Sequence, residues 1–154
     1  MQSRLKLGLA ALAMVMAAAS AAKAEQWVDY APGKGVYVKT YVHVEPNKID
    51  DYLVGLKKTW APGEEIMKKA GLLLSYSVQV NVNAQTTEPN VVMIEQYANF
   101  AAMDPNKALD LKLKAEFDKA FPKPQADAIQ AERGKWRTFV KQEMWAPVDF
   151  NVQP

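Results

Sequence analysis

From Val36 to Val44 the chain reads VYVKTYVHV, with Val or Thr at every even position and Tyr37, Lys39, Tyr41 and His43 at the odd ones. Successive side chains of a strand point to opposite faces, so this stretch has one β-branched face and one polar, aromatic face. Such a strand belongs in a sheet with an apolar layer on one side only. The chain must therefore supply helices for the valine face and an answer for the other.

The segments that follow supply the helices. Glu45-Pro46-Asn47 stops the strand, and Asn47 is the expected N-cap of a helix over 48–60, with Ile49, Tyr52, Leu53, Leu56 and Trp60 at helical spacing. Pro62-Gly63 interrupts it. Glu64–Ala70 reads as a second helical piece, closed by Gly71 in a left-handed cap. Glu64 and Glu65 then fall in a first turn, matched to the helix dipole. Residues 72–82 form the next strand, with Leu74, Tyr76, Val78, Val80 and Val82 on one face and Ser75, Ser77, Gln79 and Asn81 on the other. A polar loop over 83–90 leads to a third strand at 91–97. Asn99–Met103 is a short turn, and Asp104-Pro105 offers a cap for a helix through Leu109, Leu113, Phe117 and Phe121. Its Lys, Asp and Glu residues read as a solvated face. Pro122 and Pro124 break the chain before a helix over 125–132, and RTFVKQEMW at 137–145 is the fourth strand. The order β-α-β-β-α-β predicts an α+β, ferredoxin-like antiparallel sheet with its helices on one face.

Two properties bound the function. Residues 1–24 have a positive start at Arg4 and Lys6, the apolar run Leu7–Ala19, and Ala22-Lys23-Ala24 before Glu25. That is the layout of a cleaved secretory signal peptide. The apolar run falls short of the roughly 20 residues of a spanning helix. The chain is thus expected to be periplasmic or secreted and free of the membrane once the signal is removed. Residues 25–35 are a lead-in, and 36–154 form a single domain. Without the leader's three basic residues, the acidic residues outnumber the basic by one. That leaves no basic footprint for nucleic acid. With no cysteine and one histidine, zinc, iron–sulfur and histidine-rich metal sites are excluded, and no cofactor is expected. No GxGxxG, GxxxxGK[ST] or GxSxG arrangement occurs.

The stretches YVKTYVHVEPNKIDDYLVGLKKTW (37–60) and VVMIEQYANFAAMD (91–104) resemble the dimeric α/β-barrel superfamily, which includes the antibiotic-biosynthesis-monooxygenase, NIPSNAP-like and stress-responsive barrel domains. The resemblance implies a homodimer in which two bare sheet faces close into a barrel. Members of that group include monooxygenases, haem-degrading enzymes, isomerases and cyclases, so the fold does not choose a reaction. The second helix carries no histidine to match the ligand of the haem-degrading branch.

With the valine stripe under the helices, the opposite face gathers Tyr37, Lys39, Tyr41 and His43 with Ser77 and Gln79. On the third strand, placing Val92 and Ile94 beneath the helices sends Met93, Glu95 and Tyr97 to that polar face. Lys39, Tyr41, His43 and Glu95 are then the candidates for proton transfer, and Tyr37, Tyr41, His43, Ser77, Gln79 and Tyr97 for ligand contacts. Trp60 supplies apolar wall. Lys39 and Glu95 read equally as a structural ion pair. A second candidate is an aromatic pocket between helices and sheet, from Trp60, Trp136, Trp145, Tyr52 and Phe100, which reads equally as core. Two functions remain open: an exported small-molecule-binding protein or cofactor-independent enzyme of the dimeric barrel type, and a non-catalytic homodimeric module.

Overall fold

A computed structural model describes residues 23–151. In chain order the elements are β1 (Ala31–Pro32), β2 (Val36–Val44), α1 (Ile49–Lys58), α2 (Trp60–Lys69), β3 (Leu73–Val80), β4 (Val91–Tyr97), α3 (Lys107–Ala120), α4 (Lys123–Gly134), β5 (Arg137–Trp145) and β6 (Val148–Asp149). The main sheet is antiparallel throughout, in the order β3-β4-β2-β5. With α1–α2 and α3–α4 each taken as one broken helical crossover, this is the ferredoxin-like β-α-β-β-α-β fold. The signal-peptide reading at 1–24 lies, apart from Lys23 and Ala24, outside the described residues. No described helix is long and apolar enough to cross a membrane.

The valine stripe packs where its alternation requires. Val42 and Val44 join Tyr52 and Leu56 of α1 and Val91 and Met93 of β4 in one core cluster, with Ile49, Leu53 and Trp60 against it. Each such side chain, fully buried, contributes roughly 1.5–3 kcal/mol relative to exposure.

Several boundaries differ from the sequence expectation, each for a local reason. The helix break falls at Thr59, with φ −128° and ψ −58°, and not at Pro62-Gly63. A proline is tolerated in a first turn, where its missing N–H has no partner to lose, so α2 starts two residues before Pro62. Glu64 and Glu65 therefore sit beyond the first turn of α2. Asn47 caps nothing: Pro46–Lys48 is a 3₁₀ turn and α1 starts without a side-chain cap. The cap of α3 is Asn106, whose Oδ1 accepts from Leu109 N at 3.1 Å, and not Asp104. Gly71 does adopt the left-handed conformation, at φ +79°. On β3 a bulge between Leu73 and Ser75 turns Leu73 inward, and Leu74 leaves the expected stripe, 50% exposed. A small β1–β6 pair, absent from the sequence reading, ties the lead-in to the tail.

Candidate functional site

Register decides which side chains share a face, because residues directly opposite in an antiparallel pair point the same way. Tyr37 pairs with Gln96 and Trp145, Lys39 with Ile94 and Glu143, and Tyr41 with Val92 and Lys141. Ser77 lies opposite Ile94, and Gln79 opposite Val92. Tyr37, Lys39, Tyr41, His43, Ser77 and Gln79 are thus together on the face away from the helices.

Glu95 and Tyr97 are not among them. Glu95 pairs with Val38 and Tyr76, and Tyr97 with Val36 and Leu73, all on the helix side. The expectation had β4 the wrong way round. VVMI has no alternation to read, and the odd members Val91 and Met93 are the buried ones. Lys39 and Glu95 therefore make no pair: Lys39 Nζ stands 4.6 Å over the Trp145 ring.

The open face has its own order. Lys141 Nζ donates to Glu143 Oε1 at 2.6 Å and stands 4.7 Å from the Tyr41 ring, while Trp145 Nε1 donates to Glu143 Oε2 at 3.0 Å. These donors hold the Glu143 carboxyl below its ordinary pKa, Lys141 first. Burial, then the Glu143 charge, pushes the Tyr41 phenol up. His43 Nδ1 donates to the Glu88 carbonyl at 2.7 Å, which latches the 83–90 loop to β2.

Chemistry of another kind gathers between helices and sheet. An open cleft of about 470 Å³ is walled by Leu56, Trp60, Met93, Phe117, Phe121 and Phe139, with Glu64, Arg133 and Arg137 among its polar members. Trp60 is the only member of the expected aromatic set to line it. Tyr52 is fully buried in the core, Trp136 lies under Lys48 at 5.0 Å, Trp145 is on the open face, and Phe100 is exposed.

Of the charged residues that give the cleft its chemistry, the sequence reading named only Glu64, and only as a first-turn residue matched to the helix dipole. Glu64 lies four residues after Trp60, on the same face of α2. Burial, then the nearby Glu95 charge, lifts its carboxyl from 4.5 to about 8, so it is largely protonated at neutral pH. Tyr97 donates to Glu95 Oε2 at 3.0 Å, and its phenol is pushed up by burial and by that carboxylate. Tyr76 donates to Glu65 Oε1 at 2.8 Å and meets Trp60 edge to face at 5.4 Å, fixing one end of the wall.

Arg133, in the last turn of α4, is only 8% exposed. Its stem lies against Gly55 of α1, where an added Cβ would stand 2.8 Å from Arg133 Cδ. Its Nε and Nη1 are buried without a hydrogen-bond partner among the described residues. Burial, then the Arg137 charge, lowers its pKa. Arg137 stands 4.5 Å over the Phe139 ring and reaches the Tyr52 hydroxyl at 3.5 Å. A helical spacing search would have found Glu64 had the helix start been placed at Trp60. Nothing in the sequence marks Arg133, whose burial depends on Gly55 across the interface.

Among the described residues no group of three or more His, Asp or Glu side chains is placed to hold a metal ion. No family profile and no curated protein matches the chain. Solved structures similar to it include a dimeric ferredoxin-like protein from an uncultured marine organism, 17% identical, covering 74% of this chain and 94% of that one at a TM-score of 0.45. A NIPSNAP family protein of unknown function from Agrobacterium tumefaciens is 13% identical, covering 77% and 91% at 0.45. A dimeric protein of unknown function and ferredoxin-like fold from Bacteroides fragilis is 11% identical, covering 75% and 99% at 0.43. The ferredoxin-like fold of this chain rests on its own strand order and connections, and these proteins are similar to it in that fold.

Proposed function

We propose that this is an exported, homodimeric protein of the dimeric α/β-barrel type that binds a small molecule in the cleft between helices and sheet. The cleft carries the reading. Its volume lies within the ~300–1,000 Å³ usual for small-molecule sites, and its Leu, Met and aromatic wall is joined by charged groups, Glu64, Arg133 and Arg137 among them, that can orient a ligand. The homodimer is supported by the open face, where Val92 and Ile94 lie among aromatic and charged neighbours with no helix of the described residues over them. Export rests on the leader pattern at 1–24. Tyr41, His43 and Lys39 then lie at the barrel seam, where they set register between protomers.

A second reading, a cofactor-independent enzyme, is favoured by one observation. A carboxyl held near 8 is suited to give and take a proton close to neutral pH, and Glu64 is such a group within the cleft. Glu64 replaces the earlier candidates in that role.

The test of the cleft is a fluorescence titration with the neutral apolar probe N-phenyl-1-naphthylamine. Ala126 on α4 is half-buried and lines the cleft. The probe is expected to bind the wild type and to bind Ala126→Phe at least about tenfold more weakly, as one to two displaced apolar contacts imply. Equal binding by both proteins contradicts the cleft as the site.

A further inference from the structure

A polar group on the wall of a cleft is either spent on a partner inside the protein or left over for a ligand. Most of the groups around this cleft are spent. Asp118 is held by Lys114, Lys123 by Asp127 at 2.7 Å, and the Thr59 hydroxyl donates to the Gly55 carbonyl at 2.9 Å. Arg137 stands over the Phe139 ring and reaches the Tyr52 hydroxyl, and the buried Nε and Nη1 of Arg133 have no surface to offer.

Glu64 is the exception. It is half-buried on the cleft wall, and its carboxyl makes no hydrogen bond or ion pair among the described residues. The phenols on that side are already taken, Tyr76 donating to Glu65 and Tyr97 to Glu95. Trp60 and Phe117 stand beside it in the wall. Gly63 lets Phe117 come down onto the helix, since a Cβ there would lie 3.2 Å from the ring. A carboxylate in this place would be short of water, of donors and of a counter-charge, with the Glu95 charge nearby. The group therefore keeps its proton at neutral pH, its pKa lifted to about 8. It is an O–H donor without an acceptor.

We infer that the ligand is a neutral molecule with a carbonyl oxygen, which accepts the Glu64 O–H while its apolar body lies against Trp60, Phe117 and Phe139. This inference rests on the cleft being the ligand site. An unspent donor in an apolar wall discriminates among ligands: one with an acceptor completes it, and one without leaves it unpaired. An ammonium would share the cleft with Arg133 and Arg137. An anionic acceptor would meet the Glu95 charge beside Glu64. A neutral carbonyl meets neither objection.

The experiment displaces N-phenyl-1-naphthylamine with 2-acetonaphthone and with the hydrocarbon of the same outline, 2-isopropenylnaphthalene, at pH 6 and pH 9.5. Over that interval Glu64 loses its proton, whereas Tyr76 and Tyr97 are held above the ordinary phenol value, by the Glu65 hydrogen bond and by burial. The reading is the ratio of ketone to hydrocarbon affinity, because damage to the cleft lowers both. In wild type that ratio is expected to fall roughly fivefold from pH 6 to pH 9.5, the worth of one hydrogen bond. Glu64→Leu holds the ratio at its low value at both pH values. Glu64→Gln, a donor that does not titrate, holds it high at both. A wild-type ratio that does not move with pH, or a ratio unchanged in Glu64→Leu, overturns the carbonyl and leaves the cleft standing. Tighter binding of 2-(aminomethyl)naphthalene than of the ketone at pH 6, lost in Glu64→Gln, makes the carboxyl a cation's partner and also overturns the inference. Binding of none of these compounds, or binding unaffected by Ala126→Phe, overturns the cleft itself.

Discussion

Asn90 does at the residue scale what a strand does at the element scale. Its Oδ1 accepts from Val44 N at 2.8 Å and its Nδ2 donates to Val44 O at 2.6 Å, while its own N–H donates to the Val42 carbonyl at 3.0 Å. The side chain stands in for a backbone partner and carries the β2–β4 ladder one residue beyond Val91. Because Asn90 is buried, Asn90→Ala leaves both Val44 groups unsatisfied and is expected to cost about 2–4 kcal/mol, read from the denaturant midpoint at unchanged m. Glu64 makes the opposite kind of residue-scale claim, one of pH. Its folded pKa of about 8 lies above the unfolded value of 4.5, so between these values the folded chain holds a proton that the unfolded chain has released. Its contribution to stability is complete below pH 4.5 and declines as pH rises toward 8. Glu64→Gln, which cannot ionise, is expected to flatten that decline and to melt higher than wild type at pH 8. A wild-type melting temperature that rises over this window contradicts the assignment.

At the scale of elements, β4 shows what faces and register do. Pairing of Val91 with Val42 and of Met93 with Thr40 sends Val92 and Ile94 to the open face. If that face meets a second copy, Ile94→Lys places an ammonium in the seam of each protomer. The variant is expected to be monomeric by sedimentation with its far-ultraviolet spectrum unchanged. A variant that stays dimeric puts the interface elsewhere. The same strand marks where the sequence ceased to be legible. VYVKTYVHV names its faces because its two residue classes alternate, and the structure keeps them. VVMIEQY begins with four apolar residues, so its period is silent, and only the partner strands choose the face. The extents of β4 and β5 follow from their composition. The start of α2 does not, because a proline reads alike as a break or as a first-turn residue. The cleft was hidden for a related reason. Glu64 lies about seventy residues before Arg133 and Phe139 in the chain, and no local pattern brings the middle of one helix to the end of another and the strand that follows it.

At the scale of the whole molecule, the two faces of one sheet have separate work. The open face carries an ordered set of ion–aromatic contacts around Glu143 and a latch at His43. The helix face carries a closed valine core and, beside it, a cleft lined by Trp60, Phe117, Arg133 and Arg137. A chain of this size stays folded by a margin of about 5–15 kcal/mol. A ligand that binds only the folded state adds to that margin. The measurement that tests this division most directly is a crystal structure of the protein grown with N-phenyl-1-naphthylamine. The probe is expected in the helix–sheet cleft, against Trp60, Phe117 and Phe139. Probe bound on the open face beside Tyr41 and His43, with the cleft unchanged, contradicts the account.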